Sequence, residues 1–338
     1  MRRQSLPLRS VWPVDRRAGH EYKRDKAQKS DMARIDGVIV NYNTADLLRR
    51  CLQHSFASVT THQIALTVVD NGSADTSLAL VRGEFPAVAT IRSERNLGFA
   101  GGNNLALRKI LAERAADADP EHDYILLINT DLFLAPDTVQ TLVDFMEAHP
   151  EIGVVGPRVE KRDGSLDLAC RRRFPTPENA FYKLFGLSRR FPGDARFAGY
   201  NLTHLDPGEL TEVDAVMGAC MLVRLAAITG ERGVGLLDER FFMYGEDLDW
   251  AYRMKEQGWR VFYNPQTRVL HYKGATSARS SWRMIVEFYR AMYLFYRKHH
   301  AARSPRPINW LVAGGIAVRG AIALGVNALR PPGRKRVA

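Results

Sequence analysis

Cysteine is scarce in this chain of 338 residues, which contains only Cys51, Cys170 and Cys220. The three are odd in number and far apart, whereas a disulfide framework or a zinc cluster needs paired or closely spaced cysteines. The first 34 residues also lack the apolar stretch that a secretory signal requires, because they are polar and basic. Both absences favour a reducing, cytoplasmic location.

The body of the chain has no excess of basic residues, although the formal net charge is +11. Residues 1–34 carry ten Lys and Arg against four acids, and residues 300–338 carry seven against none. Residues 35–299 hold 31 basic and 33 acidic side chains. A nucleic-acid groove needs clustered Lys and Arg on the folded core, so we expect no nucleic-acid partner. The one internal basic run, 171–173, is expected near an anionic ligand or in solvent.

Long apolar runs are also rare, and the longest, residues 308–329, is interrupted by Arg319. An arginine at mid-span makes a membrane crossing costly, whereas a helix lying in the interface can point Arg319 outward. Basic tails are attracted to anionic lipid. We therefore expect peripheral attachment to the inner face of the cell membrane, in preference to a helix packed on the body or a single span.

Shorter apolar runs alternate with helical patterns, as in an α/β protein whose sheet is flanked by helices. The predicted strands of the first half are residues 36–40, 65–69, 88–92 and 124–128, and a later one is 260–263. Ligands of open α/β sheets bind outside the carboxyl ends of the strands. We divide the chain into three parts. They are a disordered basic extension, 1–34, a catalytic domain, 35–300, with halves 35–131 and 132–300, and a basic amphipathic tail, 301–338.

The fourth of these strands leads to an isolated carboxylate, Asp131. At this edge of the sheet, Asp131 lies where a divalent cation held by a diphosphate can bind. Alternatively, Asp131 caps a helix, because Pro136 and Asp137 begin a helical pattern soon afterwards. The ends of the other strands favour the ligand role.

Three polar residues follow the first strand, namely Asn41, Tyr42 and Asn43. A dinucleotide-binding dehydrogenase needs a glycine-rich turn there, so this class is excluded. The second strand ends at Asp70, whose carboxylate can accept hydrogen bonds from a ribose hydroxyl or a base N–H. After the third strand, residues 95–104 are rich in glycine and precede a helical pattern from residue 103. Glycine permits close approach of a ligand, and a helix N-terminus offers N–H donors to phosphate.

Taken in order, these segments resemble family 2 glycosyltransferases of the GT-A fold, in particular the rhamnosyltransferase-like subgroup. The residues that carry the resemblance are 40–43, 70–75, 96–104, 129–131 and 245–250. The resemblance covers roughly residues 35–300. It implies a nucleotide-diphospho-sugar transferase with a single Rossmann-like mixed sheet and a C-terminal helical extension. It also implies an inverting hexosyl transfer that depends on Mg²⁺ or Mn²⁺.

The resemblance makes Asp131 the surviving acid of an Asp-x-Asp metal motif whose first acid is replaced by Asn129. His271 becomes the second metal ligand, and the alternative for it is a strand-edge histidine hydrogen-bonded in the core. The nucleotide-sugar donor is expected on the strand ends. The implied donor-binding residues are Asn41, Tyr42, Asn43, Asp70, Asn71, Gly72, Arg95, Asn96, Gly98, Phe99, Asn103, Asn129 and Thr130.

Three acids, Glu246, Asp247 and Asp249, begin a predicted helix, where the helix dipole by itself favours acids. Crowded acids beside aromatic residues also raise at least one pKa, which suits a proton acceptor. The resemblance assigns the catalytic base to Asp247. In similar enzymes, the segment that corresponds to residues 214–221 lines the acceptor side of the cleft. The segment could equally be a strand of the core. The expected acceptor-binding residues are Met217, Gly218, Ala219, Glu246, Asp249 and Trp250.

The subgroup resemblance implies dTDP-rhamnose as the donor, with UDP-linked sugars such as galactofuranose as the alternative. The implied acceptor is a polyprenyl-diphosphate-linked saccharide or an envelope glycan. Two other classes of protein share some of these features. A sugar nucleotidyltransferase should carry a glycine- and lysine-rich loop after the first strand, where residues 41–43 stand instead. A non-catalytic glycan-binding protein is favoured by Asn129 alone and opposed by the pair Glu246 and Asp247.

Overall fold

One mixed sheet of nine strands organises the residues that the computed structural model describes, 32–272 and 281–330. The strands are β1 (Arg34–Asn41), β2 (Gln63–Asn71), β3 (Ala89–Ser93), β4 (Asp123–Asn129), β5 (Leu132–Leu134), β6 (Ile152–Lys161), β7 (Thr211–Glu212), β8 (Cys220–Arg224) and β9 (Arg260–His271). Their order across the sheet is β3-β2-β1-β4-β8-β6-β9-β5, and β7 pairs with β9. The four strands predicted in the first half are confirmed.

Strands β1 to β4 are mutually parallel, so their carboxyl ends meet at one edge. Strand β8 is antiparallel to both β4 and β6, and β9 is parallel to β6. Nearly every side chain of β1 and β4 is buried, as expected of strands covered by helices on both faces. The parallel half therefore presents its polar strand ends together.

Helices cover both faces of the sheet and extend its C-terminal end. They are α1 (Ala45–Phe56), α2 (Ser77–Glu84), α3 (Gly98–Arg114), α4 (Thr138–Glu147), α5 (Pro177–Leu184), α6 (Leu187–Arg190), α7 (Ala195–Ala198), α8 (Ala226–Thr229), α9 (Glu246–Glu256), α10 (Ser281–His299) and α11 (Arg306–Leu329). Helix α3 begins at Gly98, five residues before the predicted start. Its glycines serve packing, since a Cβ at Gly102 would lie 2.7 Å from Val40 Cγ1 of β1.

Strand β9 is longer than predicted and reaches His271 instead of ending at residue 263. Its pairing with β6 is interrupted by a register shift after Pro157 and then resumes. The continuation pairs with β5, where His271 lies opposite Leu132. This second stretch carries His271 to the edge at which β4 ends.

The C-terminal helices α10 and α11 contact each other, and the Tyr296 hydroxyl donates a hydrogen bond to Asn309 Oδ1 at 2.6 Å. Among the described residues, Arg306–Leu329 is the one helix long and apolar enough to cross a membrane. Trp310 and Leu311 are 74% and 71% exposed. The predicted extension, 1–34, lies outside the described residues up to residue 31, and Arg34 already begins β1.

Candidate active site

Ser73 ties the carboxyl ends of β1 and β2 together. Its hydroxyl oxygen accepts hydrogen bonds from the Asn41 side-chain amide at 3.1 Å and from the Asn43 N–H at 3.0 Å. Asn43 has a left-handed backbone, with φ of 55°, a conformation that asparagine tolerates better than most residues. Tyr42 between them is 38% exposed. The sequence motif contained Ser73, but its linking role depends on two strands and was missed.

Asp70 and Thr130 complete the ends of β2 and β4. Asp70 is 2% exposed, and its Oδ1 accepts the Ser73 N–H at 3.2 Å. The Thr44 hydroxyl donates to Asn41 Oδ1 at 2.7 Å and lies 3.0 Å from the Thr130 hydroxyl. The parallel strands thus bring Asn41, Asp70 and Thr130 to one edge.

The amide of Asn71 holds the loop before α3. Its nitrogen donates to Asn96 Oδ1 at 3.2 Å and to the Gly98 carbonyl oxygen at 2.9 Å, while its oxygen accepts the Leu97 N–H at 2.9 Å. The Asn103 amide donates to the carbonyl oxygen four residues earlier, at 2.9 Å. These amides are engaged within the protein and shape residues 95–99, a segment called the donor loop here because the family resemblance assigns it to the donor. Direct contact with a donor stays a prediction.

Two glycines allow backbone contacts that any side chain would prevent. A Cβ at Gly98, where φ is +77°, would lie 2.1 Å from the Phe242 carbonyl oxygen. That oxygen also accepts the Phe99 N–H at 2.7 Å. A Cβ at Gly72, where φ is +79°, would lie 2.8 Å from the carbonyl carbon of Arg95, whose side chain is exposed. The donor loop is thereby pressed against both β2 and the segment that leads to α9.

Asp131 and His271 meet at the ends of β4 and β9. The distance from His271 Nε2 to Asp131 Oδ1 is 3.2 Å, and both side chains are buried. Asp131 directly precedes β5, while the residue that precedes α4 is Asp137. The capping alternative for Asp131 is therefore excluded. The family resemblance named both residues as metal ligands, and the fold brings them into contact although they are 140 positions apart in the chain.

A second carboxylate lies on the other side of the His271 ring. Nδ1 of His271 is 3.7 Å from Asp167 Oδ2, which is too long for a hydrogen bond and close enough for an ion pair. Burial lowers the pKa of His271, but the charges of Asp131 and Asp167 outweigh burial and raise it to about 9. Between these two carboxylates the imidazole is mostly protonated at neutral pH, so a divalent cation that binds Nε2 would have to displace its proton. Sequence reasoning did not identify Asp167.

Asp131 and His271 fit a divalent cation that also binds substrate oxygens, since Mg²⁺ often keeps only one or two protein ligands beside phosphate. Within the described ranges, no three His, Cys, Asp or Glu side chains converge on one point. The N–H of Asn129, which replaces the first acid of the motif, donates to the Ala219 carbonyl oxygen at 2.9 Å. Substrate oxygens would therefore complete such a site.

Asp247 lies in the first turn of α9, behind two left-handed residues, Tyr244 with φ of 70° and Gly245 with φ of 81°. These two residues turn the chain abruptly into the helix. Oδ2 of Asp247 accepts hydrogen bonds from Arg172 Nη2 at 2.6 Å and from the Gly218 N–H at 3.1 Å. Oδ1 accepts the N–H of the following residue at 2.8 Å. Asp247 is thus a buried carboxylate with a fixed orientation.

Glu246 is also buried, but it has a different environment. Its Oε2 has no hydrogen-bond partner among the described residues. Burial, and then the charge of Asp247, raise the pKa of Glu246 to about 8. At neutral pH, Glu246 is therefore mostly protonated. The two neighbouring acids thus differ in their hydrogen-bond partners although the sequence presents them alike.

Gly218 joins the donor loop to Asp247. A Cβ at residue 218 would lie 3.3 Å from Asp247 Cβ and 3.4 Å from the Phe99 ring. The adjacent Ala219 contacts Asn129 as described above, and both Met217 and Ala219 are buried. Residues 214–219 precede β8, and only Cys220 and Met221 of the predicted segment lie within it. Gly218 and Ala219 thus contact Phe99 of α3, Asp247 of α9 and Asn129 at the end of β4.

Asp249 and Trp250 do not lie where they were expected. Both are fully buried, and residues two apart on a helix point about 200° apart, so Asp249 faces away from Asp247. Asp249 binds cationic or imidazole groups of Arg253, Lys298 and His299 at 2.7–2.9 Å. Trp250 Nε1 donates to a backbone carbonyl oxygen at 2.9 Å. The prediction that these two bind the acceptor is corrected, because Asp249 anchors α10 and Trp250 belongs to the core.

The chain matches the family model described as glycosyl transferase family 2 over residues 37–206, which is half of its length. The chain belongs to this family. This family 2 glycosyltransferase is 28% identical over 284 residues to the N-acetylglucosaminyl-diphospho-decaprenol L-rhamnosyltransferase of Mycobacterium tuberculosis, across 83% of this chain and 90% of the relative. It is 27% identical over 177 residues to rhamnosyltransferase WbbL of Escherichia coli, across 52% of this chain and 61% of the relative.

Two solved structures share the fold of this family 2 glycosyltransferase. The mannosyltransferase PcManGT of Pyrobaculum calidifontis, in complex with GDP-Man and Mn²⁺, has a TM-score of 0.51 and 16% identity, across 90% of this chain and 78% of that one. GalNAc-T7 with UDP, GalNAc and Mn²⁺ has a TM-score of 0.51 and 15% identity, across 72% of this chain and 44% of that one. The predicted GT-A fold is confirmed, as is the likeness to rhamnosyltransferases.

Proposed function

We propose that this glycosyltransferase moves rhamnose from dTDP-rhamnose to a hydroxyl group of a polyprenyl-diphosphate-linked or envelope glycan, with inversion at the anomeric carbon. The contacts around Gly218, which join the donor loop to Asp247, carry the proposal, because donor and base must face each other across one sugar. The names of the mycobacterial and Escherichia coli relatives support rhamnose, and the mycobacterial name supports a lipid-linked acceptor.

Asp247 accepts the proton of the acceptor hydroxyl in this reaction. The acceptor oxygen bonds to the anomeric carbon from the face opposite the nucleotide, while the bond from that carbon to the diphosphate oxygen breaks. The nucleoside diphosphate leaves with the bonding pair. A positioned general base contributes about 10²–10⁴-fold to such a step.

The diphosphate end of the donor is assigned to Asp131 and His271. When bound there, Mg²⁺ or Mn²⁺ would neutralise charge on the departing diphosphate. The first N–H groups of α3 are not assigned to the phosphates, because Gly98 donates to Asn96 Oδ1 and Phe99 to the Phe242 carbonyl oxygen. Asp70, at the end of β2, is assigned to the ribose or the base.

The C-terminal helices are assigned to a membrane surface, on the cytoplasmic side. The exposed apolar side chains of α11 and the absence of acids from residues 300–338 support this assignment, since such a helix suits an anionic bilayer. Arg319 near the middle of α11 favours a helix in the interface over a span. A protein held there would meet a lipid-linked acceptor in the plane of the bilayer.

A thermal-shift panel tests the donor and the metal together. We expect dTDP and dTDP-rhamnose to stabilise the protein in the presence of Mn²⁺ or Mg²⁺, and EDTA to abolish both this effect and transfer. Asp131→Asn and His271→Gln should lose the metal-dependent part, whereas Asp137→Asn, a nearby acid that bonds to the Thr267 hydroxyl, should retain it. A larger thermal shift with UDP or UDP-galactofuranose would show that the donor is a UDP-linked sugar and not dTDP-rhamnose. Transfer that is unaffected by EDTA would exclude a catalytic role for the metal.

A further inference from the structure

Arg172 is committed to Asp247 by a short, buried ion pair. The distance from Arg172 Nη2 to Asp247 Oδ2 is 2.6 Å, and the two side chains are 10% and 12% exposed. The same nitrogen donates to the Val216 carbonyl oxygen at 2.8 Å. Arg172 belongs to the basic run expected near an anionic ligand or in solvent, and instead its guanidinium lies against the acid assigned to catalysis. In a poorly solvated site, water and salt screen such a pair less than they screen a pair at the surface.

The hydrogen bonds of the two neighbouring acids are unequal. Asp247 has a guanidinium and two backbone N–H donors, whereas Glu246 Oε2 has no partner in the described part of the chain. Two adjacent buried carboxyl groups do not ionise together at low cost, so one holds the charge and the other the proton. The other titratable groups near them are Tyr244, beside Glu246, and Tyr200, beside Arg172. The hydrogen-bond donors around Asp247 therefore favour the charge on Asp247 and the proton on Glu246.

We propose that Arg172 is a positioning residue of the transfer reaction, which keeps Asp247 as the charged member of the Glu246–Asp247 pair and leaves Oδ1 to receive the acceptor proton. This inference rests on the proposed function, in which Asp247 is the base. The raised pKa of Glu246 agrees with this division of charge. Without Arg172, the pair would share its proton, and the base would be blocked in part of the molecules at neutral pH.

The kinetic test compares Arg172→Gln, Arg172→Lys and a matched control, Arg171→Gln. Arg171 is also buried, at 1% exposure, but it donates to the carbonyl oxygens of Asp206 and Leu205 at 2.9 and 2.7 Å. We expect Arg172→Gln to lower kcat by up to about tenfold with little change in the KM for the donor, since a base is impaired and not a binding group. The acidic limb of its kcat profile should move up by about one pH unit. Arg172→Lys should show a smaller loss of kcat and a smaller shift of the acidic limb than Arg172→Gln.

A purely structural role for Arg172 would leave the pH profile unchanged, and Arg171→Gln should show that behaviour. An unmoved acidic limb in Arg172→Gln, or an equal shift in Arg171→Gln, overturns the proposal. If Arg172→Gln does not fold, Arg172→Lys decides, because a displaced ammonium should still move the limb towards higher pH.

A measurement without turnover separates this proposal from the proposed function. Carboxyl ¹³C resonances of the full chain, assigned through Glu246→Gln and Asp247→Asn, report which acid carries the proton. We expect the Glu246 resonance to show the protonated form at pH 7 and the Asp247 resonance the ionised form, with mixed forms in Arg172→Gln. A protonated Asp247 in the unaltered protein refutes the role of Arg172. If the two acids carry the expected charges but the protein transfers no sugar from any nucleotide sugar, the proposed function fails instead.

Discussion

Replacing Asp247 with Asn removes one charge from a buried pair and leaves the shape of the side chain almost unchanged. Arg172 then loses its counter-charge while remaining buried. Breaking a buried ion pair in this way costs about 3–5 kcal/mol. Glu246 offsets part of that cost, because its pKa falls when the charge of Asp247 is gone, and its carboxylate can then face Arg172. We expect a net loss of about 2–3 kcal/mol.

That loss corresponds to a decrease in Tm of roughly 3–6 °C for a domain of this size. Turnover should fall about 10²–10⁴-fold, because the general base is absent. Melting curves at pH 6 and pH 8.5, transfer assays and calorimetric titration with a nucleoside diphosphate measure these effects separately. Nucleotide binding should survive. Asp214→Asn is the matched control, since it breaks the 2.8 Å ion pair with Lys255 and leaves the Glu246–Asp247 pair intact.

Near-normal turnover in Asp247→Asn would refute the assignment of the base. An unchanged Tm at both pH values would refute the energetic argument, because the ion pair with Arg172 would then contribute nothing to stability. A loss of turnover equal to that of Asp214→Asn would point to general damage instead of missing chemistry.

Three further predictions concern other parts of the molecule. Gly98→Ala should weaken binding of nucleoside diphosphate at least about tenfold, because its Cβ would clash with the Phe242 carbonyl oxygen, whereas Gly83→Ala, where a Cβ meets nothing within 4 Å, should bind normally in the same titration. Glu246→Gln should flatten the dependence of Tm on pH. The stability contributed by protonated Glu246 is complete below its usual pKa of 4.5 and is lost as the pH rises through about 8, on the order of 4 kcal/mol in all. The difference in Tm between Glu246→Gln and the unaltered protein should therefore shift in favour of the variant from pH 5 to 9. Deleting residues 305–338 should release the protein from anionic vesicles at low salt, and unchanged flotation would exclude attachment by the tail.

Local patterns predicted much of the donor half of the site. The apolar runs that became β1, β2 and β4 each end in polar residues, and parallel strands bring such ends to one edge. The sequence alone therefore predicts that Asn41, Asp70 and Asp131 lie at the same edge of the sheet. The start of α3 was predicted too late, because its glycines resemble a loop in sequence while their role is close packing on β1. Glycine composition alone does not distinguish these two roles.

The acceptor half was predicted less well, because its residues depend on contacts that sequence spacing does not encode. Asp249 and Trp250 stand beside Asp247 in the chain, yet the turn of α9 carries them into the interior. The run 171–173 was expected near an anionic ligand or in solvent, whereas Arg171 and Arg172 are buried within the protein. Their side chains satisfy carbonyl oxygens and a carboxylate from distant segments, and no local pattern reports such partners.

The α/β order and the polar edge of the sheet could be predicted from local patterns, since strand periodicity and strand ends are local properties, and the ordered motifs carried the family resemblance. The surroundings of the two key acids depend instead on long-range contacts. Asp131 is paired with His271, 140 positions away, and Asp247 with Arg172, 75 positions away. Burial and charge at these long-range contacts separate a charged Asp247 from a protonated Glu246, although the two acids are neighbours in the chain.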